Sequence, residues 1–292
     1  MMNYLDFYQN IPSHLNPIAF QIGFFPVGWY SLMYLAAFLT VYLLLRWRLK
    51  NEKLSINISI EKIESFILWA IFGVIIGGRL GYVLFYEPSY FFAHPLEMIS
   101  PFDLAGNFIG LYGMSYHGGV LGVLAASFIF SKKNKISFFS LADFVIPAIP
   151  AGYFFGRIGN FLNGELYGRL TQSEWGMYFY NSMNLTWELR FPSQLLEAFF
   201  EGLVLFFILW VIRKYKWMKG NFLSAYLLGY GIFRFGIEFV REPDWQIGFV
   251  GQSLGLHLTL GQVYSVMMIF LVVGIYLGKS GILKSKKMVY NK

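Results

Sequence analysis

Hydrophobic runs long enough to cross roughly 30 Å of hydrocarbon recur along the chain at residues 20–45, 65–86, 107–130, 138–156, 193–212, 221–240 and 258–278. Polar or charged segments separate them. Backbone inside hydrocarbon must satisfy its hydrogen bonds internally, so runs of this length read as helices. The pattern predicts an all-α integral membrane protein of about seven transmembrane helices, a single polytopic domain over 1–292. Two connections are substantial. Residues 87–106 (EPSYFFAHPLEMISPFDLAG) carry aromatics, three prolines and no basic residue, and read as an interfacial outer arm. Residues 157–192 are a polar insert with Trp175 and Trp187, and read as a small extracytoplasmic cap. No internal repeat is visible, which weighs against an inverted-repeat transporter.

Charge orients these runs. The first, third and fifth connections carry Arg46, Arg48, Lys50, Lys53 and Lys62; Lys132, Lys133 and Lys135; and Arg213, Lys214, Lys216 and Lys219. The tail adds Lys279, Lys284, Lys286, Lys287 and Lys292. By the positive-inside rule these segments are cytoplasmic, which puts the N-terminus outside and the C-terminus inside. No lysine or arginine precedes Arg46, so a cleavable signal peptide with a basic start is not expected. The basic residues left over, Arg79, Arg157, Arg169, Arg190, Arg234 and Arg241, are all arginine and fall within spans or toward the outer side. That choice suits bidentate contacts to phosphate. It suits equally a pairing with Glu165, Glu188, Glu238 and Glu242.

Composition narrows the chemistry. Of 292 residues 57% are hydrophobic and 13% charged, against about a quarter charged in soluble domains. Cysteine is absent, so any thiol chemistry must use a thiol brought by a substrate. His14, His94, His117 and His257 are scattered, and no HExxH, CxxC or P-loop pattern occurs, so neither a metal nor a cofactor is expected. The net charge of +7 follows the topology rather than one face, which argues against a nucleic-acid partner.

The most informative stretch is Gly156–Arg169, GRIGNFLNGELYGR, where two arginines, two asparagines and a glutamate follow an apolar run. Polar, glycine-broken backbone beside a span is tolerated where it lines a cavity or protein interior, and arginine there grips an anionic head group. His117, in Tyr116-His117-Gly118-Gly119, lies about ten residues into the expected third span; it reads either as a base titrating near neutral pH or as a packing histidine. Arg79 follows Gly77-Gly78 and needs a partner, whether carboxylate, backbone carbonyl or lipid phosphate. Arg234 and Arg241 are seven residues apart, about two helical turns, and form either an anion track or a salt-bridged seam with Glu238. Pro243 is expected to end their helix. Gln194 and Glu197 share a face at i, i+3, suited to orienting an arginine or a substrate hydroxyl. Tyr30 and Tyr34 place two phenols one turn apart.

The blocks GGRLGYVLFY (77–86), YHGG (116–119), GRIGNFLNGELYGR (156–169), PSQLLEA (192–198), YGIFRFGIEFVREPD (230–244) and LTLGQVYS (258–265) together resemble the prolipoprotein diacylglyceryl transferase family of bacterial membranes. They run in the expected order along nearly the whole chain; the departure is Phe191, where the family usually has histidine. The resemblance implies a metal-independent transferase of the bacterial cytoplasmic (inner) membrane, with its active site on the extracytoplasmic side. It would move a diacylglyceryl group from phosphatidylglycerol to the lipobox cysteine of a prolipoprotein signal peptide, forming a thioether and releasing glycerol phosphate. It points to Arg157 as a phosphatidylglycerol-binding residue with Asn160 and Glu165, and marks Tyr30, His117, Gly168, Glu197, Arg234 and Arg241 as functional positions. Arg157 and Arg241 are then expected on the phosphate and His117 as the base, with Arg79 also toward the lipid. Arg234 and Glu197 would shape a second site for peptide or product lipid. An anion transporter is the rival reading; an intramembrane protease would need a GxSG serine or paired intramembrane aspartates, which the sequence lacks.

Overall fold

A computed structural model describes residues 4–23, 25–54, 56–100, 102, 113–243, 248–251 and 257–290. The chain is mostly helical. In order it forms α1 (Tyr4–Gln9), a ribbon of β1 (Ile18–Ile22) and β2 (Phe25–Gly28), α2 (Trp29–Asn51), α3 (Ile60–Phe85), α4 (Pro88–Ala93), α5 (Tyr116–Lys133), α6 (Phe138–Val145) and α7 (Ile149–Leu162). A second ribbon, β3 (Met177–Asn181) and β4 (Thr186–Arg190), precedes α8 (Ser193–Glu197), α9 (Leu205–Ile212) and α10 (Phe222–Ile237). The two-residue strands β5 (Phe249–Val250) and β6 (Leu258–Thr259) lead into α11 (Leu260–Tyr290). All three ribbons are antiparallel pairs.

Five helical stretches among the described residues are long and apolar enough to cross a membrane: Trp29–Asn51, Ile60–Phe85, Phe138–Leu162, Ser193–Ile212 and Leu260–Leu277. Phe222–Ile237 is a shorter apolar helix. These account for an all-α, multi-pass membrane protein. The boundaries differ from the hydropathy pattern in several places. The expected first run at 20–45 begins as β1–β2, because Gly23 turns the chain at φ +61° and Pro26 has no amide hydrogen for a helix; the helix starts at Trp29. The fourth run passes its expected end at 156 and continues to Leu162, so Arg157 and Asn160 are helical residues, not loop residues. In the third run residues 113–115 are not helical and the helix starts at Tyr116, where the Ser115 side chain caps it by accepting from the Gly118 amide at 3.2 Å. Residues 107–112 of that run, 101 and 103–106 of the expected outer arm, and Asp244 lie outside the described residues.

The chain divides into two compact units. The first comprises Met1–Val41 and Val145–Lys292, the second Tyr42–Phe144. In the second unit α3 and α5 run in opposite directions with small residues between them. Gly73 faces Gly122, and Gly81 faces Gly118; a Cβ on Gly77 would come within 2.6 Å of the Gly122 Cα. Close approach through small residues is how helices associate where no water is present to drive them together. Arg48 in the same unit donates to the Asp143 and Phe144 carbonyls at 3.2 and 2.5 Å.

In the first unit the cap is anchored by a cluster of Phe161, Met177 and Phe179, with Tyr8, Ile11 and Tyr167 against it. The N-terminal segment is tied there: Tyr8 Oη donates to the Trp175 carbonyl at 3.1 Å. Between α8 and α9 the chain forms a π-helical turn, Ala198–Val204. Such turns are rare and recur at functional sites. Gly202 in this turn packs directly on Phe154 of α7.

Candidate active site

Three helical segments of the first unit bring charged side chains together. On α7, Tyr153, Arg157 and Asn160 follow an i, i+4, i+7 spacing and share one face. Gln194 and Glu197 lie on α8, with Glu201 one turn on in the π segment. Arg234 comes from α10; Glu238 and Arg241 follow it.

Glu197 is the centre of this group and fully buried. Its Oε2 lies 2.9 Å from Arg157 Nε and 3.0 Å from Arg234 Nη1, and its Oε1 lies 3.4 Å from Arg241 Nε. One carboxylate therefore faces three guanidinium groups. Glu238, also buried, meets Arg234 Nη2 at 2.6 Å and Arg241 Nη1 at 3.6 Å, and accepts from Thr259 Oγ1 at 2.6 Å. Glu201 is a third buried acid. It accepts from the Tyr153 hydroxyl and lies 3.9 Å from Arg234. Charges taken this far from water are tolerable only when paired; here three acids balance three arginines.

A chain of hydrogen bonds leads from Arg157 toward the cap. Arg157 Nε lies 2.7 Å from Tyr153 Oη, and its Nη1 donates to Asn160 Oδ1 at 3.1 Å. Asn160 Nδ2 donates to Glu165 Oε1 at 2.9 Å, and Gln194 Nε2 donates to the Glu165 carbonyl at 2.7 Å. Tyr30 belongs to the same unit: its hydroxyl is 3.2 Å from that of Tyr34, and its ring packs beside Gly159.

The helix of Arg234 ends at Ile237, before Pro243, and Arg241 is held by backbone pairing instead of helical register. Gly168 and Arg241 form an antiparallel bridge, the Arg169 amide donates to the Val240 carbonyl at 2.8 Å, and the Gly168 amide donates to Phe191 at 2.7 Å. A Cβ on residue 168 would lie 2.8 Å from both the Cβ and the carbonyl oxygen of Phe191, so glycine is what lets these segments meet. Arg169 donates to the Arg241 and Glu238 carbonyls at 2.9 and 3.1 Å. Arg190 pairs with Glu188 at 2.6 Å and Glu242 at 3.2 Å, and donates to the Gly168 carbonyl at 3.1 Å. Arg169 and Arg190 fasten the segment 163–192 to the end of α10. Hydrogen bonds from Asn181, Arg190 and Asn184 outweigh desolvation and hold the Glu188 carboxyl down to about 2, so it is ionised at neutral pH.

The remaining candidates lie in the second unit. Arg79 donates to the Met98, Glu97 and Gly113 carbonyls at 2.8, 2.5 and 3.2 Å, and its guanidinium sits 4.8 Å from the Phe91 ring. Backbone carbonyls are among the partners open to it from sequence. His117 occupies the first turn of α5 and is exposed, its ring edge-on to Tyr116 at 5.8 Å. Sequence reasoning missed Tyr153, Glu201 and Thr259. Glu201 carried a usable signal, since an acid inside an apolar run is a functional candidate by default. Tyr153 stood one turn before Arg157 but was one of 20 tyrosines. Among the described residues no group of three or more histidine, cysteine, aspartate or glutamate side chains could hold a metal ion.

Comparison with known proteins matches residues 17–277 to the family model described as prolipoprotein diacylglyceryl transferase. A protein of Chlorobaculum tepidum is 46% identical over 278 residues, covering 94% of this chain and 93% of its own. One from Aliarcobacter butzleri is 42% identical over 274 residues (93% and 96%), and one from Rickettsia felis 47% over 264 residues (88% and 94%). All three are named phosphatidylglycerol–prolipoprotein diacylglyceryl transferase.

Proposed function

Since the chain belongs to the prolipoprotein diacylglyceryl transferase family, we propose that the buried cluster around Glu197 is where its lipid substrate reacts. The chain is a membrane transferase that moves the diacylglyceryl group of phosphatidylglycerol to a prolipoprotein, the first step of lipoprotein maturation. The acceptor in this reading is the lipobox cysteine of the signal peptide, reached from the bilayer. The carbon–sulfur bond forms as the carbon–oxygen bond to phosphate breaks, the thiol proton passes to a base, and glycerol phosphate leaves. The membrane is the bacterial cytoplasmic (inner) membrane, the spans number seven with the N-terminus outside, and the site faces outward. The cap segment 163–192 then lies over it on the extracytoplasmic side.

The convergence of Arg157, Arg234 and Arg241 on one carboxylate carries this reading. At a saturated carbon with a phosphate ester leaving, negative charge grows on the leaving group, and fixed cations in a dry site stabilise it best. Arg157 and Arg241 take the phosphate, because guanidinium forks match its oxygens pairwise. Glu197 and Glu238 hold those forks in place before the lipid arrives, which keeps the cost of reorganisation low. Asn160 and Glu165 fix Arg157 from the far side, Gly168 lets Arg241 approach, and Tyr30 flanks Asn160 across Gly159.

The nucleophile is a thiol with an ordinary pKa of about 8.5, and the family resemblance is what marks His117 as the residue to take its proton. His117→Asn keeps a hydrogen-bonding side chain of similar size but cannot accept a proton at neutral pH. Transfer by this variant is expected to fall by about 100-fold or more, with phosphatidylglycerol binding unchanged in native mass spectrometry. A variant that keeps most of its activity and only moves its pH optimum would remove His117 from this role.

A further inference from the structure

Gln194 is fully buried on α8, one turn before Glu197 and on the same face. Its Nε2 is committed to the Glu165 carbonyl at 2.7 Å. That partner accepts only, so it fixes which end of the amide is nitrogen and turns Oε1 the other way. Among the described residues Oε1 is a buried acceptor with no hydrogen-bond partner. The orphaned atoms of Glu197, Glu201, Glu238 and Arg241 differ from it, because each of those side chains is ion-paired within the cluster. Glu97 Oε1 shares a carboxylate whose other oxygen accepts from Tyr90. Among the described residues Gln194 Oε1 alone combines full burial, neutrality and a place on the face of α8 that carries Glu197. A buried acceptor left unmet is costly, and such an atom in a substrate site reads a donor on the substrate.

Resting on the reading that phosphatidylglycerol reacts at this cluster, we propose that Gln194 selects its head group by accepting a hydrogen bond from a glycerol hydroxyl. The arginines supply donors for phosphate and discriminate poorly among anionic phospholipids. A neutral acceptor one helical turn from the carboxylate that holds them adds what phosphate recognition lacks, namely a demand for a hydroxyl on the leaving alcohol. Glu197, one turn on, is occupied by guanidinium groups and is not available for that purpose.

The test compares transfer to a lipobox peptide from phosphatidylglycerol and from phosphatidylpropanol, which has the same phosphate and chains but no free hydroxyl on its head group. Wild-type protein should use phosphatidylpropanol with kcat/KM lower by about tenfold or more. Gln194→Met keeps length and removes the acceptor together with the Nε2 donor to the Glu165 carbonyl; it should lose more activity on phosphatidylglycerol than on phosphatidylpropanol, and so collapse the ratio toward one. Equal use of both lipids by the wild type overturns the proposal whatever the variant does. So does a variant that loses both activities in parallel, the mark of a structural role. Failure of the wild type to transfer from phosphatidylglycerol at all would instead strike the reading of the site itself.

Discussion

Replacing Arg157 with lysine is expected to lower kcat/KM for transfer by about 100- to 1000-fold, the range seen when one preorganised donor to a developing oxyanion is removed. The reason is geometric. Arg157 spans Tyr153 Oη, Asn160 Oδ1 and Glu197 Oε2 at 2.7, 3.1 and 2.9 Å, a spread that a planar fork covers and a single ammonium does not. Lysine keeps the charge, so its buried acidic neighbours remain compensated and the fold should persist, checked by thermal unfolding in detergent. Near-normal transfer by Arg157→Lys would sink the phosphate-clamp role. Comparable loss of activity and of folded protein would make Arg157 a structural residue only.

The second large effect concerns Glu197. Glu197→Gln is nearly isosteric but removes the one carboxylate that faces three guanidinium groups. Breaking a buried pair by deleting one partner costs about 3–5 kcal/mol, so the variant should unfold at markedly lower temperature and lose transfer. The account makes a further demand. Phosphatidylglycerol brings a negative phosphate into the same cluster, so it should raise the melting temperature of Glu197→Gln more than that of the wild type. Equal stabilisation of the two proteins would mean that the phosphate does not sit among these arginines.

Much of this cluster was legible before any coordinates. Arg234 and Arg241 were expected on one helical face two turns apart; both do reach Glu197 and Glu238, although the helix assumed by that spacing ends at Ile237. The i, i+3 pair Gln194–Glu197 suggested orientation of an arginine, which Glu197 performs three times over. Whether such arginines sit in an anion track or a salt-bridged seam was open from spacing alone; the distances give a seam of acids and arginines. Legibility failed where tertiary contacts override local pattern. Hydropathy runs cannot register that α7 continues through Arg157 and Asn160, because the polar face of its last turns is satisfied by Glu197 from distant sequence and by Glu165 just past the helix end. Nor can they register β1–β2, whose apolar residues resemble a span until Gly23 and Pro26 are read as breaks. Arg241 lies beyond the end of its helix, and only the bridge to Gly168, more than seventy positions earlier in sequence, brings it back. Glu201 meets Tyr153 from the π segment after Glu197, a turn that hydrophobic periodicity does not signal.

The most direct measurement is the mass of the cysteine in a lipobox peptide incubated with the purified protein and phosphatidylglycerol. The account predicts a diacylglyceryl adduct joined through a thioether, with one glycerol phosphate released per adduct, and its near absence with Arg157→Lys. Lipid flux across proteoliposomes with no covalent product, or an adduct that forms equally well with Arg157→Lys, would contradict it.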